Sequence, residues 1–470
     1  MAQNRISGKL SPLLQQVEHS KDQLCKVIVE LSSGRTDQID ALVRANNGKI
    51  HHKIGIVPSL VVELPYDSIP ELAKSRQVKR IWYDAQVKQL LNTVVPTVCG
   101  FGVKKSSFTG KKITIAVLDT GVYPHHDLVY PVNRIIAWAD FINFQKAPYD
   151  DNGHGTHVAG IIAGNGASSF GKYCGIAPEA NLAIVKVLDK NGNGSLSAII
   201  EGIDWCIKNK AEYNIKIINL SFGAVAQDSY RTDLLCRATS IAWKNGIVVC
   251  TAAGNDGPRA GTINTPGINP KVITVGNLDH RRTVIFDDDR VHPTSSRGPT
   301  RDKIKKPDLL APGTNIISLR PGGGYRSLTG TSMAASIVSG AIALILEKNP
   351  KLRPDQVKRM LLKNAREIGL DPYEQGAGVI NLQKIFAGSG RAPRTQILGV
   401  EPLTEKAQLR ACYIDNYLEY NNLLNPYLLF LILILLISAS PGYYYSANPY
   451  FLFLILLLLI LTNEPRLLYK

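Results

Sequence analysis

Two patterns of apolar residues succeed each other along most of the chain. In the first, residues 24–92 alternate short strand-like runs with helix-like stretches. Such alternation over short, β-branched runs predicts a small α/β module. The predicted elements are strands at 27–30, 60–64 and 79–82 and helices near 37–46 and 68–74.

From residue 111 onward the apolar runs are continuous, and each ends in small or polar residues. Helical stretches are predicted between them at Leu196–Lys208 and Leu234–Lys244. Continuous apolar strands that alternate with helices indicate a parallel sheet covered on both faces. Ligand sites of such sheets lie at the carboxyl ends of the strands, so the residues after each run are the candidates for chemistry. The runs are Ile113–Leu118, Leu182–Val187, Ile215–Leu220, Ile247–Ala252 and Val272–Val275.

The end of the chain follows a third pattern, in which one Leu/Ile-rich segment occurs twice, from Asn425 and again from Asn448. Each copy is shorter than the ~20 residues that a helix needs to span a bilayer. This tail is therefore either a membrane-associated hairpin or a compositionally biased segment without a role in the chemistry. The remaining segments are a polar N-terminal segment at 1–23, a linker at 389–424, the duplicated tail at 425–462 and a polar C-terminus at 463–470.

Composition narrows the choice of partners and compartment. The 470 residues are 45% hydrophobic, enough for one large core and accessory segments. The net charge is +16, but the basic residues are scattered in short pairs, so nucleic-acid binding is not expected. The seven cysteines show no C-x-x-C spacing, which predicts free thiols and no zinc site. Residues 1–26 lack the apolar core of a secretory signal, so we expect a cytoplasmic protein.

Two of the candidate residues are an acid and an imidazole. Asp119 closes a predicted strand, and His157 stands where a glycine-rich loop enters an apolar helix. Taken alone, an aspartate after a strand is usually a turn residue, and a histidine at a helix start is usually structural. Gly155 and Gly160 leave room for a close approach of other backbone to this helix. His154 is the competing imidazole, but the sequence predicts it in the loop, where no helix would hold the ring.

The other two candidates are a hydroxyl and an amide. Ser332 lies in a turn of small residues that opens a helix, and Asn255 follows a predicted strand. Their ordinary roles would be those of a helix cap and a turn residue. In the functional interpretation, His157 deprotonates the hydroxyl while Asp119 fixes the imidazole tautomer. The Asn255 amide and the Ser332 backbone N–H would then donate to the developing oxyanion.

Three segments carry a resemblance to the subtilisin-like serine peptidases. The family's Asp-Thr-Gly block matches residues 119–121, its His-Gly-Thr-His block residues 154–157, and its Gly-Thr-Ser-Met-Ala block residues 330–334. The chain order of aspartate, histidine and serine agrees as well. The resemblance covers about residues 25–385, and the segment 149–153 is similar to the cytoplasmic AprX type.

This resemblance implies a three-layer α/β/α sandwich on a mainly parallel sheet at 96–388. It also implies that residues 24–95 form a propeptide-like α/β domain that inhibits the enzyme and assists its folding. The implied reaction is peptide-bond hydrolysis of polypeptide substrates by Asp119, His157 and Ser332. The stretch 87–92 would then lie in the substrate cleft after self-cleavage, as in a self-processed zymogen.

The resemblance also implies where substrate binds. Substrate would add as an extended strand, with selectivity from side-chain pockets. Because no charge lines the implied segments, we expect broad specificity with a preference for apolar or aromatic residues. The substrate-binding residues implied in this way are Ser221, Phe222, Gly223, Ala252, Ala253 and Gly254.

No cofactor is expected for catalysis, and a structural calcium ion, frequent in the family, cannot be assigned to any loop, since Asn191–Gly194 is more simply a turn. Metal hydrolysis by His125, His126 and Asp127 is a weak alternative, because adjacent loop histidines point apart. The rival of another class is a catalytically silent subtilase-fold binding protein that its tail anchors to a membrane.

One position departs from the family's pattern close to the expected nucleophile. Ser336 stands where the family usually has proline. Proline suits the first turn of a helix because its φ is already fixed near the helical value. Serine should therefore loosen this turn without preventing it.

Overall fold

The computed structural model describes residues 9–11, 14, 23–32, 37–84, 86–89, 108–281 and 289–386. These residues belong to one compact unit, residues 1–390. The predictions for the linker at 389–424, the duplicated tail at 425–462 and the C-terminus lie outside the described residues.

The N-terminal module is a four-stranded antiparallel sheet with two helices, and its strand order is β2-β3-β1-β4. The three strands and two helices expected from the apolar pattern are all present. The pattern missed β2, an edge strand whose polar residues leave no apolar run. The elements are β1 (Leu24–Leu31), α1 (Asp37–Ala45), β2 (Lys49–Ile54), β3 (Ser59–Pro65), α2 (Ile69–Lys74) and β4 (Val78–Tyr83).

Part of the N-terminal segment packs on this module. Leu10 pairs with Ile81 of β4, and the Ser11 N–H donates to the Ile81 carbonyl at 2.9 Å. Leu14 is fully buried in the core of the module. A segment expected to be merely polar thus covers the edge of β4, which would otherwise expose unpaired backbone groups.

The larger domain is built on an eight-stranded sheet of order β14-β13-β12-β10-β6-β8-β7, with β15 beside β13. Every strand is parallel to its neighbours except β14. The five predicted runs all form strands of this sheet. Its strands are β6 (Thr114–Asp119), β7 (Ile135–Asp140), β8 (Asn181–Lys186), β10 (Ile215–Leu220), β12 (Val248–Ala252), β13 (Ile273–Asp279), β14 (Arg290–Val291) and β15 (Leu309–Pro312).

Helices cover both faces of this sheet, which confirms the expected three-layer α/β/α sandwich. Helices α4 and α7 pack on one face and α5 and α6 on the other, because continuous apolar strands must be covered twice. The helices of this domain are α3 (His126–Val129), α4 (His154–Ala163), α5 (Leu196–Lys208), α6 (Leu234–Lys244), α7 (Thr331–Lys348), α8 (Pro354–Asn364), α9 (Pro372–Gln375) and α10 (Leu382–Phe386). Within the described chain, α7 alone is long and apolar enough to cross a membrane, and 89% of it is buried inside the fold.

Two small sheets flank the large one. A three-stranded sheet of order β11-β5-β9 joins the N-terminal module to the larger domain, and β16 pairs with β17 as an antiparallel hairpin. Their strands are β5 (Gln86–Gln89), β9 (Asn193–Ser195), β11 (Phe222–Gly223), β16 (Ile316–Leu319) and β17 (Tyr325–Leu328).

A buried carboxylate holds the module against the larger domain. Glu30 of β1 is 2% exposed and accepts hydrogen bonds from Lys79 at 2.7 Å and from Arg237 of α6. Burial alone would raise the pKa of Glu30, but these bonds outweigh it and lower the pKa. A second contact uses Asp84, whose carboxylate accepts from the Ser197 N–H and hydroxyl at the start of α5.

We expect Glu30→Ala to lower the free energy of unfolding by about 1–3 kcal/mol, the scale for losing charged hydrogen bonds. The loss stays below that of a fully buried pair because Lys79 and Arg237 reach solvent, at 56% and 28% side-chain exposure. Urea unfolding of proteins that also carry Ser332→Ala measures this loss in the free energy of unfolding. The control is Glu63→Ala, whose side chain is 36% exposed; equal losses in the two variants would contradict the role given to Glu30.

Candidate active site

Asp119 points away from the face of the sheet that α5 covers. A Cβ built on Gly202 of α5 would contact the Leu118 side chain at 3.3 Å, so Leu118 faces α5. Successive side chains of a strand point to opposite faces, so Asp119 faces the layer that contains α4. Its carboxylate is fully buried, and its Oδ1 accepts from the Thr120 N–H at 2.8 Å.

The helix that faces Asp119 begins at His154. Gly153 precedes it with φ of 95°, and the Asp150 carboxylate accepts from the Gly153 N–H at 2.7 Å and the Thr156 N–H at 2.8 Å. A carboxylate at this end is favoured because the first N–H groups of a helix have no partners within it. His154 is therefore held in the first helical turn.

Two glycines let the aspartate and histidine segments touch. Gly121 has φ of 113°, and a Cβ there would lie 2.1 Å from the Tyr149 carbonyl oxygen. A Cβ on Gly155 would lie 2.1 Å from the Gly121 carbonyl oxygen. A larger residue at Gly155 would push α4 away from the end of β6, and one at Gly121 would displace the segment of Tyr149 that leads to α4.

This approach brings His154 into contact with Asp119. The Nδ1 atom of His154 lies 2.7 Å from Asp119 Oδ1, and both side chains are fully buried. A carboxylate only accepts, so Nδ1 carries a hydrogen, and in the neutral ring the lone pair is on Nε2. Nε2 is buried without a hydrogen-bond partner among the described residues. An imidazole in this state is ready to accept a proton.

The expected pairing of Asp119 with His157 is wrong. Nε2 of His157 contacts the carbonyl oxygens of Ile316 and Arg326 at 3.0 and 3.2 Å, so this nitrogen carries the hydrogen. Burial lowers the pKa of His157 to about 3, which keeps the ring neutral. His157 joins α4 to the β16–β17 hairpin and is a structural residue.

The error has an identifiable cause in the position of the helix start. The apolar pattern predicts a helix that begins near His157 and a loop that contains His154, whereas α4 begins at His154, about one turn earlier. The signal was present in Asn152 and Gly153, since both residue types favour helix N-termini. The Asn152 side-chain oxygen accepts from the His154 N–H at 3.1 Å.

Ser332 lies at the same edge of the sheet. Its Oγ donates to the Ser221 carbonyl at 2.7 Å. Ser221 follows β10, and Leu220 of β10 pairs with Leu118 of β6. Residues 119 and 221 thus end neighbouring strands, which lie about 4.8 Å apart in a sheet. The hydroxyl and the imidazole are held by adjacent strand ends.

A buried polar network supports the start of α7. The Ser332 carbonyl accepts from the Ser336 hydroxyl at 2.8 Å and the Ser221 hydroxyl at 3.1 Å. Ser221 in turn accepts from Asn219, and Asn219 accepts from Ser339, both at 2.8 Å. Serine at position 336 therefore adds a hydrogen bond at the turn that it was expected to loosen.

The amide of Asn255 is oriented by the residue before Ser332. Its Oδ1 accepts from the Thr331 N–H at 3.1 Å and the Thr331 hydroxyl at 3.0 Å. The Nδ2 atom consequently points away from Thr331, and it is buried without a partner among the described residues. A fixed, unpartnered N–H donor beside the first turn of α7 suits a developing negative charge.

A strand of the chain itself crosses this edge of the sheet. β5 lies between β11 and β9, antiparallel to both. Gln89 pairs with Phe222 and Lys88 with Gly223, while Val87 pairs with Gly194 on the other side. Of the residues expected to bind substrate, Phe222 and Gly223 thus pair with a strand. The loop at Asn191–Gly194, which the sequence predicts as a simple turn, pairs with the same strand through Asn193 and Gly194.

The alternative metal site is not formed by its three expected residues. Asp127 accepts from the Ser168 N–H at 2.7 Å and the Tyr325 hydroxyl at 2.6 Å. His125 Nε2 contacts the Gly324 carbonyl oxygen at 3.1 Å. In the part of the chain that the structure describes, no cluster of three or more histidine, cysteine or acidic side chains could hold a metal ion.

Comparison with known proteins gives consistent matches. Residues 110–384 match the model described as the subtilase family. Serine protease AprX of Bacillus subtilis (strain 168) is 46% identical over 340 residues, covering 67% of this chain and 76% of that protein. Subtilisin E of the same strain is 32% identical over 348 residues, covering 73% and 84%.

A solved structure supports the fold. Fervidolysin from Fervidobacterium pennivorans, described as a keratinolytic enzyme related to subtilisin, superimposes with a TM-score of 0.62 at 22% identity. The match covers 82% of this chain and 63% of fervidolysin, so this chain spans somewhat under two thirds of that protein's length.

Substitution by glutamine should abolish labelling of Ser332 at one of the two histidines and should largely preserve it at the other. His154→Gln should abolish labelling of Ser332 by a fluorophosphonate, because no proton acceptor remains beside the hydroxyl. His157→Gln keeps a side-chain N–H donor for the two carbonyls, so labelling should stay within about tenfold of wild type. The measurement is the rate of labelling, made on proteins whose fold has been checked by circular dichroism. Loss of labelling in His157→Gln alone would reverse the assignment.

Proposed function

The chain belongs to the subtilase family and is a serine endopeptidase, and we propose that its reacting groups are Asp119, His154 and Ser332. The observation that carries this choice is the 2.7 Å contact between His154 Nδ1 and Asp119. It leaves Nε2 with a lone pair at the strand edge that also holds Ser332.

In the proposed reaction, the Ser332 hydroxyl turns from the Ser221 carbonyl toward His154. Nε2 takes the proton as the oxygen attacks the peptide carbonyl carbon, and the Asp119 carboxylate stabilises the imidazolium that forms. The same nitrogen then returns the proton to the leaving amine. A water molecule then attacks the acyl carbonyl carbon while Nε2 takes its proton. The same nitrogen gives that proton to the Ser332 oxygen as the ester bond breaks and the carboxylic acid leaves, so the reaction requires no cofactor.

The negative charge on the carbonyl oxygen is the second requirement. Asn255 Nδ2 and the Ser332 backbone N–H are proposed to donate to this oxygen. Thr331 holds the amide through two hydrogen bonds, so the donor is oriented before substrate arrives. A pre-oriented dipole avoids the cost of reorganising solvent during the reaction.

Polypeptide substrates are proposed to bind where β5 lies. An extended segment there can pair with β11 on one side and β9 on the other, gaining backbone hydrogen bonds from both. A substrate strand in the register of β5 has the position after that of Gln89 opposite Ser221. Ser332 donates to the Ser221 carbonyl, so this position is the one presented to the nucleophile.

The N-terminal module is proposed to be an inhibitory propeptide, which makes the protein a self-processed zymogen. Two observations support this: β5 occupies the cleft in a substrate-like pairing, and Glu30 and Asp84 join the module to α6 and α5. Cytoplasmic residence and membrane association of the tail at 425–462 stay predictions.

The proposed oxyanion role of Asn255 predicts that its loss lowers kcat and leaves KM nearly unchanged. Asn255→Ala should lower kcat by about 100- to 1000-fold, the scale established for the corresponding donor in subtilisin, with little change in KM. Thr331→Val keeps the backbone N–H and removes one of the two hydrogen bonds that orient the Asn255 amide. Its kcat should therefore lie between those of wild type and Asn255→Ala. Steady-state kinetics on one peptide substrate decide; a loss under threefold in Asn255→Ala contradicts the role.

The register of β5 predicts the first cut. The position after Gln89 is Leu90, so we expect self-cleavage of the Leu90–Leu91 bond. Intact-mass spectrometry of wild type should show a new N-terminus at Leu91, and the Ser332→Ala protein should remain whole.

Two outcomes would contradict these proposals separately. If wild type is cut at another bond between residues 84 and 110, the cleavage site predicted from the β5 register is wrong, but the peptidase function still stands. An uncut wild type that also resists fluorophosphonate labelling favours a catalytically silent binding protein.

A further inference from the structure

Lys186 places a buried cation beside Asp119. It ends β8 and pairs with Asp119 of β6. Paired residues of neighbouring strands point to the same face, so its side chain lies in the layer of Asp119 and α4. It is fully buried, and a Cβ built on Gly121 would lie 3.5 Å from its Cδ. A buried charge is unfavourable unless it is paired and hydrogen-bonded, so its acceptors show what it holds.

The ammonium group of Lys186 joins three separate segments. Its Nζ donates to the Thr120 carbonyl at 2.6 Å, to Asp151 Oδ1 at 2.7 Å and to the Leu188 carbonyl at 3.0 Å. An ammonium has three N–H donors, so every donor has an acceptor. The Tyr149 ring, whose centroid is 4.8 Å from Nζ, adds a favourable cation–π contact. These contacts fix Nζ, and Nζ in turn holds the three segments together.

The first of these segments leads to the acid. The Thr120 N–H donates to Asp119 Oδ1 at 2.8 Å, and the Thr120 hydroxyl accepts from the Gly155 N–H at 2.9 Å. Thr120 thus links the carboxylate to the first turn of α4. Lys186 holds the remaining polar group of Thr120, its carbonyl. The turn after β6 therefore cannot move without breaking a buried hydrogen bond, which is costly.

The second segment leads to the imidazole. Asp151 lies in the loop that enters α4, three residues before His154. Its side chain is 33% exposed, whereas that of Lys186 is fully buried. The ion pair therefore ties this loop to the interior of the fold next to Asp119.

We infer, resting on the proposed roles of Asp119 and His154, that Lys186 and Asp151 are positioning residues for the hydrolysis. One ammonium group holds both the turn after Asp119 and the loop before His154. It thereby maintains the separation at which these two side chains form their 2.7 Å hydrogen bond. None of the acceptors of Lys186 is a reacting atom, so it acts on the reaction only through this geometry.

A second buried lysine provides a matched control. Lys306 is also fully buried, and its Nζ donates to Asp308 Oδ2 at 2.6 Å and to the Val272 carbonyl at 3.0 Å. Asp308 precedes β15 and Val272 precedes β13, and these two strands are parallel, so the group lies at the edge of the sheet opposite the reacting groups. Loss of either lysine should therefore lower stability, but only loss of Lys186 should alter the reaction.

Steady-state kinetics on one peptide, with active sites counted by fluorophosphonate titration, separate positioning from stability. Lys186→Met fills the same space without donors, so its kcat per active site should fall at least about tenfold, because catalysis is sensitive to small displacements of reacting groups. Its KM should stay within about twofold of wild type. Asp151→Leu should lower kcat in the same way, whereas Asp151→Asn keeps an acceptor oxygen for Nζ and should keep most of the activity. Lys306→Met should keep the kcat of wild type.

Proton NMR reads the hydrogen bond between Asp119 and His154 without any turnover. The Nδ1 proton of a histidine bonded to a buried carboxylate lies in a short, charge-assisted hydrogen bond, and such protons resonate far downfield. In proteins that carry Ser332→Ala, the signal is identified by its absence in His154→Gln. It should move upfield or vanish in Lys186→Met and stay in place in Lys306→Met.

A Lys186→Met protein with the kcat of wild type and an unmoved signal overturns the inference, as does an equal loss of kcat in Lys306→Met. If Lys186→Met does not fold, Asp151→Leu decides by the same two readouts, since the Asp151 side chain is partly exposed. A wild type that shows the signal but neither labels nor cleaves refutes the peptidase proposal instead. The signal in Lys186→Met then still tests the positioning.

Discussion

The hydrogen bond between His154 Nδ1 and Asp119 is the interaction on which the site depends. Both side chains are fully buried, so the bond fixes the tautomer in a surrounding where water does not compete. It exists only because the segments of Gly121 and Gly155 touch at a distance that no side chain would permit. The absence of a side chain at both glycines thus determines where His154 Nδ1 lies relative to Asp119.

The same edge of the sheet organises the other groups. Parallel strands end together, so Asp119 at the end of β6 and Ser221 directly after β10 become neighbours although they are far apart in sequence. The starts of α4 and α7 supply His154 and Ser332 at this edge. Helix starts hold side chains in one orientation and present a favourable field to negative charge. The chemistry therefore follows from the arrangement of the layers.

Much of the fold could be predicted from the sequence because it depends on local apolar periodicity. The runs at 113–118 and 215–220 became β6 and β10, and two helices between strands have the predicted bounds. The site was predicted less completely. His154 was displaced by His157 through a misplaced helix start. The network of Asn219, Ser221 and Ser339 behind Ser332 could not be foreseen because it is made across sequence. Residues whose function depends on long-range packing carry no local signal.

The pairing of β5 with β11 and β9 also has a bearing on how activity would be controlled. A segment joined to the molecule it blocks experiences the same local concentration at any dilution, typically millimolar for a short connection. In the proposed zymogen, cutting that connection would convert a permanent neighbour into a separate molecule, which dilution or digestion could then remove. The number of active molecules would be determined by the fate of the severed module, and the speed of the first cut would matter much less.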